Sequence, residues 1–189
     1  TGDMISRDMR DFHEISSFLQ ALSKISPTYL CTGNHELDLP PEVQREFWAM
    51  AEQAGCHPLR NETVPLEKSG CPPLYLAGAE LAYGIYRDEN RGFLHLQPYT
   101  AEDLTQALGT RQGCTVLLAH NPLLLDSYAG WGADVVLSGH VHGGMVRLPF
   151  VGGVLSPERR FFPKYDKGLY EKGGTKLYVS GGIGKPRLF

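Results

Sequence analysis

This chain of 189 residues has little charge of either sign to spare. Eighteen Lys and Arg stand against 21 Asp and Glu, a net charge of −3 with the histidines neutral. That balance argues against the basic footprint of a nucleic-acid polymer binder and against a polybasic membrane patch. A phosphate handled by this chain would have to be held by metal ions rather than by lysines. Long apolar runs are missing too: no uninterrupted segment approaches the ~20 residues that a spanning helix needs, and no signal-peptide pattern follows Thr1. Cysteine is scarce, four residues without a Cys-x-x-Cys spacing, which argues against a zinc ribbon. Cys31 and Cys114 fall in or beside expected buried strands, where cysteine behaves as a small apolar residue. Cys56 and Cys71 lie in a loop-rich stretch and are expected as thiols, a disulfide between them being the alternative in an exported protein. Repeats and low-complexity linkers are absent, so residues 1–189 read as one domain of ordinary globular composition, 42% hydrophobic and 21% charged.

Against these absences stands Ser138-Gly139-His140-Val141-His142-Gly143-Gly144, two imidazoles on a glycine-flanked turn directly after the apolar run 133–137. Imidazole suits Zn, Fe, Ni and Cu, and mixed with carboxylates also Mn, so a His-x-His at a strand end is a metal-site candidate. Alone it is as often a polar turn. Three other segments share its design. Thr28-Tyr29-Leu30-Cys31 runs into Gly33-Asn34-His35-Glu36, the strand 115–119 runs into His120-Asn121-Pro122, and the chain opens with Thr1-Gly2-Asp3. Sites in open α/β sheets form outside the carboxyl ends of strands, so four such ends can share one crevice. Singly, Asp3 reads equally as a helix cap, His35 as a turn residue and His120 as a satisfied strand-end imidazole.

Periodicity supplies the frame. Met9, Phe12, Ile15, Leu19 and Leu22 recur at helical spacing and predict a helix over 8–23. Asp38 ahead of Pro40-Pro41 starts another, with Val43, Phe47 and Ala51 on its buried face, ending at Gly55. Stretches 57–60, 63–67 and 74–79, broken by Asn61, Gly70, Pro72 and Pro73, favour hairpins. Thr100 and Asp103 form a capping-box start for a helix ending near Gly109. A strand at 115–119, a short helix at 123–130, a strand at 133–137 and a β-rich stretch from Gly143 to Val179 follow. The pattern implies an α/β sandwich of mixed sheets flanked by helices.

In this order, Gly-Asp, Gly-Asn-His-Glu, His and Gly-His-x-His resemble the calcineurin-like metallophosphoesterase superfamily. His120-Asn121-Pro122, Arg147-Leu148-Pro149, Tyr165-Asp166-Lys167-Gly168-Leu169-Tyr170 and Val179-Ser180-Gly181-Gly182 are similar to its bacterial branch of membrane-associated or exported phosphodiesterases. Two features depart from the pattern. The superfamily's opening Asp-x-His would lie upstream of Thr1, and its second acidic residue, three positions after the first aspartate, is here Ser6, with Asp8 out of step. A chain that starts without Met at a strand end, and stops at Phe189 without a closing strand, is expected to be incomplete on both sides.

The resemblance implies a hydrolase, a metal-dependent phosphoesterase acting on a phosphodiester or pyrophosphate with two divalent ions (Mn, Fe or Zn) and a metal-activated water. It implies Asp3 bridging both ions, Asn34, His120 and His140 on one of them, His142 on the other, and His35 at the leaving oxygen, work that suits a side chain with a near-neutral pKa. Glu36 or Asp38 is expected to orient His35. The implied partner is a small phosphorylated substrate, nucleotide-, lipid- or envelope-derived, with a peripheral membrane contact left open. Location follows from the upstream sequence: membrane-associated or exported with an anchor or signal there, cytoplasmic without. Arg7 and Arg147 read as solvated or as contacts for a second phosphate, and His13, His57 and His95 as structural or surface residues. The stretch 157–170, with Arg159, Arg160, Phe161, Phe162 and Tyr165, reads as a substrate-facing or membrane-facing loop or as core. Two rivals remain. One is a metal-binding but inactive protein. The other is an amidohydrolase, whose His-x-His comes on an early barrel strand rather than late in the chain.

Overall fold

The computed structural model describes residues 1–87, 96–144 and 161–183, and the backbone alone of 146–148 and 152–155. Helix α1 (His13–Ile25) begins five residues later than the apolar spacing predicts. A turn from Met9 N to Ser6 O and the Asp11 carboxylate on the His13 amide, 2.9 Å, use up the preceding backbone groups. Strand β1 (Thr28–Leu30), the short α2 (Asn34–Leu37) and α3 (Pro41–Gln53) follow, α3 burying Phe47, Trp48 and Ala51 as its periodicity requires.

Strand β2 (Cys56–Pro58) is not part of a hairpin. It pairs parallel with β1, Tyr29 opposite His57, because α3 carries the chain back over the length of β1. The expected hairpin forms one strand later, between β3 (Glu62–Leu66) and β4 (Leu74–Ala79). Helix α4 (Ala101–Leu108) has its capping box: Thr100 Oγ1 accepts from the Asp103 amide at 3.3 Å, and Asp103 accepts from the Thr100 amide at 2.7 Å. After β5 (Cys114–Ala119), a 3₁₀ turn and α5 (Leu125–Trp131) lead to β6 (Val135–Ser138). The hairpin β7 (Val146–Leu148) and β8 (Gly152–Leu155) precedes β9 (Gly168–Lys172) and β10 (Thr175–Val179).

The main sheet is mixed, in the order β3-β4-β5-β6-β10-β9, parallel from β4 to β10 and antiparallel at both edges. Its two faces are covered differently. One packs Ala77, Leu117, Val136 and Leu177 against Leu104, Leu125 and Tyr128 of α4 and α5. The other packs Leu76 and Leu118 against Cys31 and Leu59, beneath the β1-β2 pair. A third cluster joins α1 and α3 to β1 through Leu19, Leu30, Phe47 and Ala51. The layers approach so closely at Gly78 that a Cβ there would lie 2.4 Å from Leu59. An ion-pair network stitches the layers together: Arg60 Nε meets Glu80 at 2.6 Å, and the buried Thr32 hydroxyl donates to the same carboxylate at 2.7 Å. Sheets packed in this way, with helices outside, are the expected α/β sandwich.

All four cysteines are free thiols; Cys31 and Cys56 are buried, Cys71 exposed. Cys114 departs from expectation: at the first position of β5 it is exposed rather than core. Among the described residues no helix is long and apolar enough to cross a membrane. His95, Arg159 and Arg160 lie outside the described residues, as does the Arg147 side chain.

Candidate metal centre

Parallel pairing of β5 and β6, Leu118 opposite Leu137, brings their carboxyl ends side by side. The chain leaves both strands in step: Gly139 N donates to His120 O at 3.0 Å, and the Ser138 hydroxyl to Ala119 O at 2.6 Å. His120 and His140 are thereby delivered next to each other, ring centroids 5.1 Å apart, with exposures of 1% and 7%. Thr1-Gly2-Asp3 lies across these ends, its Thr1 carbonyl 2.5 Å from His120 Nδ1. A carbonyl only accepts, so Nδ1 carries the proton and Nε2 keeps its lone pair.

That lone pair faces Asp3. His120 Nε2 lies 3.0 Å from Asp3 Oδ2 but, though buried, makes no hydrogen bond among the described residues. Two electron-rich atoms held this close call for a cation between them. Ligand atoms of Asp3, His120 and His140 all fall within 4.8 Å of one another, and the Asn34 Oδ1 at the start of α2 is buried without a partner among the described residues. Buried polar atoms are ordinarily satisfied, so this donor set of carboxylate, two imidazoles and an amide oxygen fits a divalent transition metal. Burial works to raise the Asp3 carboxyl, but a positive charge taken up at His120 Nε2, with the charge and amide of His35, holds it well below its ordinary range.

Glu36 organises the backbone around Asp3. Fully buried, its carboxylate accepts from the amides of Asp3 at 2.8 Å, Met4 at 2.7 Å and Gly33 at 2.8 Å. Burial, then the neighbouring Asp3 charge, push the Glu36 carboxyl up. The expectation that Glu36 or Asp38 orients His35 is therefore corrected. Glu36 is committed to three amides, Asp38 is 3.7 Å from Arg7, and the acceptor beside His35 Nδ1 is the Ile5 carbonyl at 3.2 Å. The Nδ1 proton is fixed by that carbonyl, which leaves Nε2 as the free ring nitrogen. The His35 amide in turn donates to Asp3 Oδ1 at 2.9 Å. Gly33 is where these groups crowd together, since a Cβ there would lie 2.3 Å from Asp3 Oδ1 and 2.9 Å from Glu36 Oε2.

His142 stands outside the tight triad of Asp3, His120 and His140 and is more open to solvent. Loss of solvent lowers its pKa, as do the charges of His140, His120 and His35, against the opposing pull of Asp3. Asp3, His140 and His142 all adopt positive φ, +54°, +66° and +51°, in turns where glycine is the usual occupant.

The family model for calcineurin-like phosphoesterases matches residues 1–144. The chain belongs to that family. It is 27% identical over 188 residues to the uncharacterised metallophosphoesterase YkoQ of Bacillus subtilis (strain 168), covering 98% of this chain and 64% of YkoQ. It is 26% identical over 184 residues to the phosphodiesterase YaeI of Escherichia coli (strain K12), covering 97% and 61%, and 31% identical over 191 residues to a putative metallophosphoesterase of Caenorhabditis elegans, covering 96% and 36%. The chain thus spans less than two thirds of the length of each. As a calcineurin-like phosphoesterase it carries Gly-Asp, Gly-Asn-His-Glu, His and Gly-His-x-His on the loops just described.

Of the remaining sequence candidates, His13 and His57 are on the surface, His57 stacked on Tyr29 at 5.2 Å. In the stretch around Tyr165, that residue is buried against Tyr170, as the core reading has it, while Phe161 and Phe162 are exposed. The Thr1 and Ile5 carbonyls that set two imidazole tautomers were invisible in the sequence, because backbone acceptors carry no residue signature.

Proposed function

We propose that this chain is a metal-dependent phosphoesterase that hydrolyses a phosphodiester or pyrophosphate link in a small nucleotide-, lipid- or envelope-derived molecule. The observation that carries it is the convergence of Asp3, His120 and His140 with two buried polar atoms, His120 Nε2 and Asn34 Oδ1, that lack partners among the described residues. In this reading Asp3, Asn34, His120 and His140 would hold one divalent ion, and Asp3 with His142 would serve a second. Such ions, when bound, neutralise charge on the phosphoryl oxygens and make a water nucleophilic near neutral pH.

The remaining work falls to the chain's own groups. The Thr1 carbonyl keeps His120 in the tautomer whose Nε2 is a donor to metal, and the Ile5 carbonyl holds the Nδ1 proton of His35, which is not a ligand in this reading. His35, when its ring carries a second proton on Nε2, donates that proton to the departing ester oxygen and returns to the tautomer whose Nδ1 proton the Ile5 carbonyl holds. Glu36 and Gly33 keep the Asp3 carboxylate in register with both.

The test is hydrolysis of bis(4-nitrophenyl) phosphate by chain loaded with Mn²⁺, Zn²⁺ or Fe²⁺, against chelator-treated protein. Turnover that appears with metal and is lost in His120→Ala and His140→Ala supports the assignment. Metal binding with no turnover on any phosphodiester or pyrophosphate sinks it in favour of a metal-binding protein without catalysis.

A further inference from the structure

We propose that Tyr86 is a positioning residue of this metal centre, its ring holding the His140 and His120 imidazoles in the orientation that receives an ion; the proposal rests on the metal-binding reading above. Tyr86 belongs to none of the four motifs. It ends the 3₁₀ turn Tyr83–Ile85 between β4 and α4, where its amide donates to Tyr83 O at 2.9 Å. That turn inserts the side chain beneath the carboxyl ends of β5 and β6, where only 4% of the residue stays exposed. Its ring meets His140 edge to face, centroids 5.1 Å apart and planes at 64°, and stands 6.0 Å from His120 at 52°. One ring therefore braces both imidazoles of the triad.

The bracing matters because both imidazoles must keep one orientation to receive the same ion. His120 is fixed at Nδ1 by the Thr1 carbonyl. His140 sits at φ +66° on a glycine-flanked turn, a backbone state that persists only where its surroundings enforce it. An aromatic wall restricts rotation of the imidazole at low entropic cost. Among the described residues the hydroxyl is buried without a hydrogen-bond partner, so the ring contacts carry the proposal.

The experiment titrates Co²⁺ into the full chain and its Tyr86→Phe and Tyr86→Leu variants, reading affinity and the visible Co²⁺ spectrum, with circular dichroism and melting temperature alongside. Tyr86→Phe is expected to keep the wild-type affinity and spectrum and to melt at the same temperature or higher. Tyr86→Leu is expected to stay folded while its Co²⁺ affinity falls about tenfold, the scale of groups that orient metal ligands, with an altered spectrum. If the leucine variant does not fold, Tyr86→Met, closer in length, takes its place. A leucine or methionine variant that melts lower but binds Co²⁺ with unchanged affinity and spectrum would reduce Tyr86 to core packing and overturn the proposal, and so would equal loss in Tyr86→Phe. Wild-type chain that binds no Co²⁺ would overturn the centre itself, an outcome distinct from both.

Discussion

The Glu36 carboxylate accepts the Asp3 amide at 2.8 Å, so the residue closing one motif fixes the backbone of the residue that opens the candidate metal centre, 33 positions away. Glu36→Gln should therefore weaken more than local stability. A carboxamide turns at least one N–H toward the amides of Gly33, Asp3 and Met4. Losing one charged hydrogen bond costs about 1.5 to 3 kcal/mol, and metal affinity should fall with it. Denaturant unfolding and metal titration of the same preparation check this; unchanged metal affinity in a destabilised variant would limit Glu36 to the fold.

Gly33 tests crowding without backbone strain, because its φ of −106° is open to any residue. Gly33→Ala should cost about 1 to 3 kcal/mol, as overpacking does, and should displace the Asp3 carboxylate that lies 2.3 Å from the new Cβ. Metal content after dialysis is the readout, with an expected drop relative to wild type.

Bound metal should stabilise the fold. A ligand at 100 times its dissociation constant adds about 2.7 kcal/mol, so Mn²⁺ or Zn²⁺ should raise the melting temperature of wild type. The rise should vanish in His120→Ala and in His140→Ala. A rise of equal size in either variant would remove that histidine from the ligand set.

His35 should separate catalysis from binding. His35→Ala is expected to lower turnover by ~10²- to 10⁴-fold, the usual contribution of a general acid or base, with metal content close to wild type. Loss of metal along with the side chain would make His35 a ligand instead.

Acid stability should carry the mark of Glu80. Burial works to raise its pKa, but the hydrogen bonds from Arg60 and Thr32 and the Arg60 charge lower it below the ordinary 4.5. A depressed carboxyl contributes stability that is present above its unfolded pKa and is lost as pH falls through the folded one. Wild type should lose stability below about pH 4.5 more steeply than Glu80→Gln. Parallel acid-unfolding curves would show that the network contributes nothing.

How much of this was legible beforehand differs from residue to residue. His120 and His140 could be placed because each follows an apolar strand, and parallel strands end at one edge of a sheet. Thr100 and Asp103 announced a helix start through a cap that needs only two nearby side chains. The start of α1 was misread, since apolar spacing persists through Met9 and Phe12 while Asp11 captures the backbone after them. The partner of β2 was misread because Asn61 and the prolines nearby signal turns and say nothing about which distant strand a short segment joins. Glu36 was assigned the wrong neighbour: three amides brought together by tertiary structure leave no pattern along the chain. Tyr86 left none either, since its contacts with His120 and His140 depend on a 3₁₀ turn outside every motif.

The left-handed backbone at Asp3, His140 and His142 sets thermal robustness against chemistry. Each non-glycine residue held there costs roughly 1–2 kcal/mol, a penalty that a glycine would relieve while deleting a candidate ligand. A selection for heat tolerance alone would therefore drift toward glycine at these positions, and the hardiest survivors would be those that had dismantled the centre.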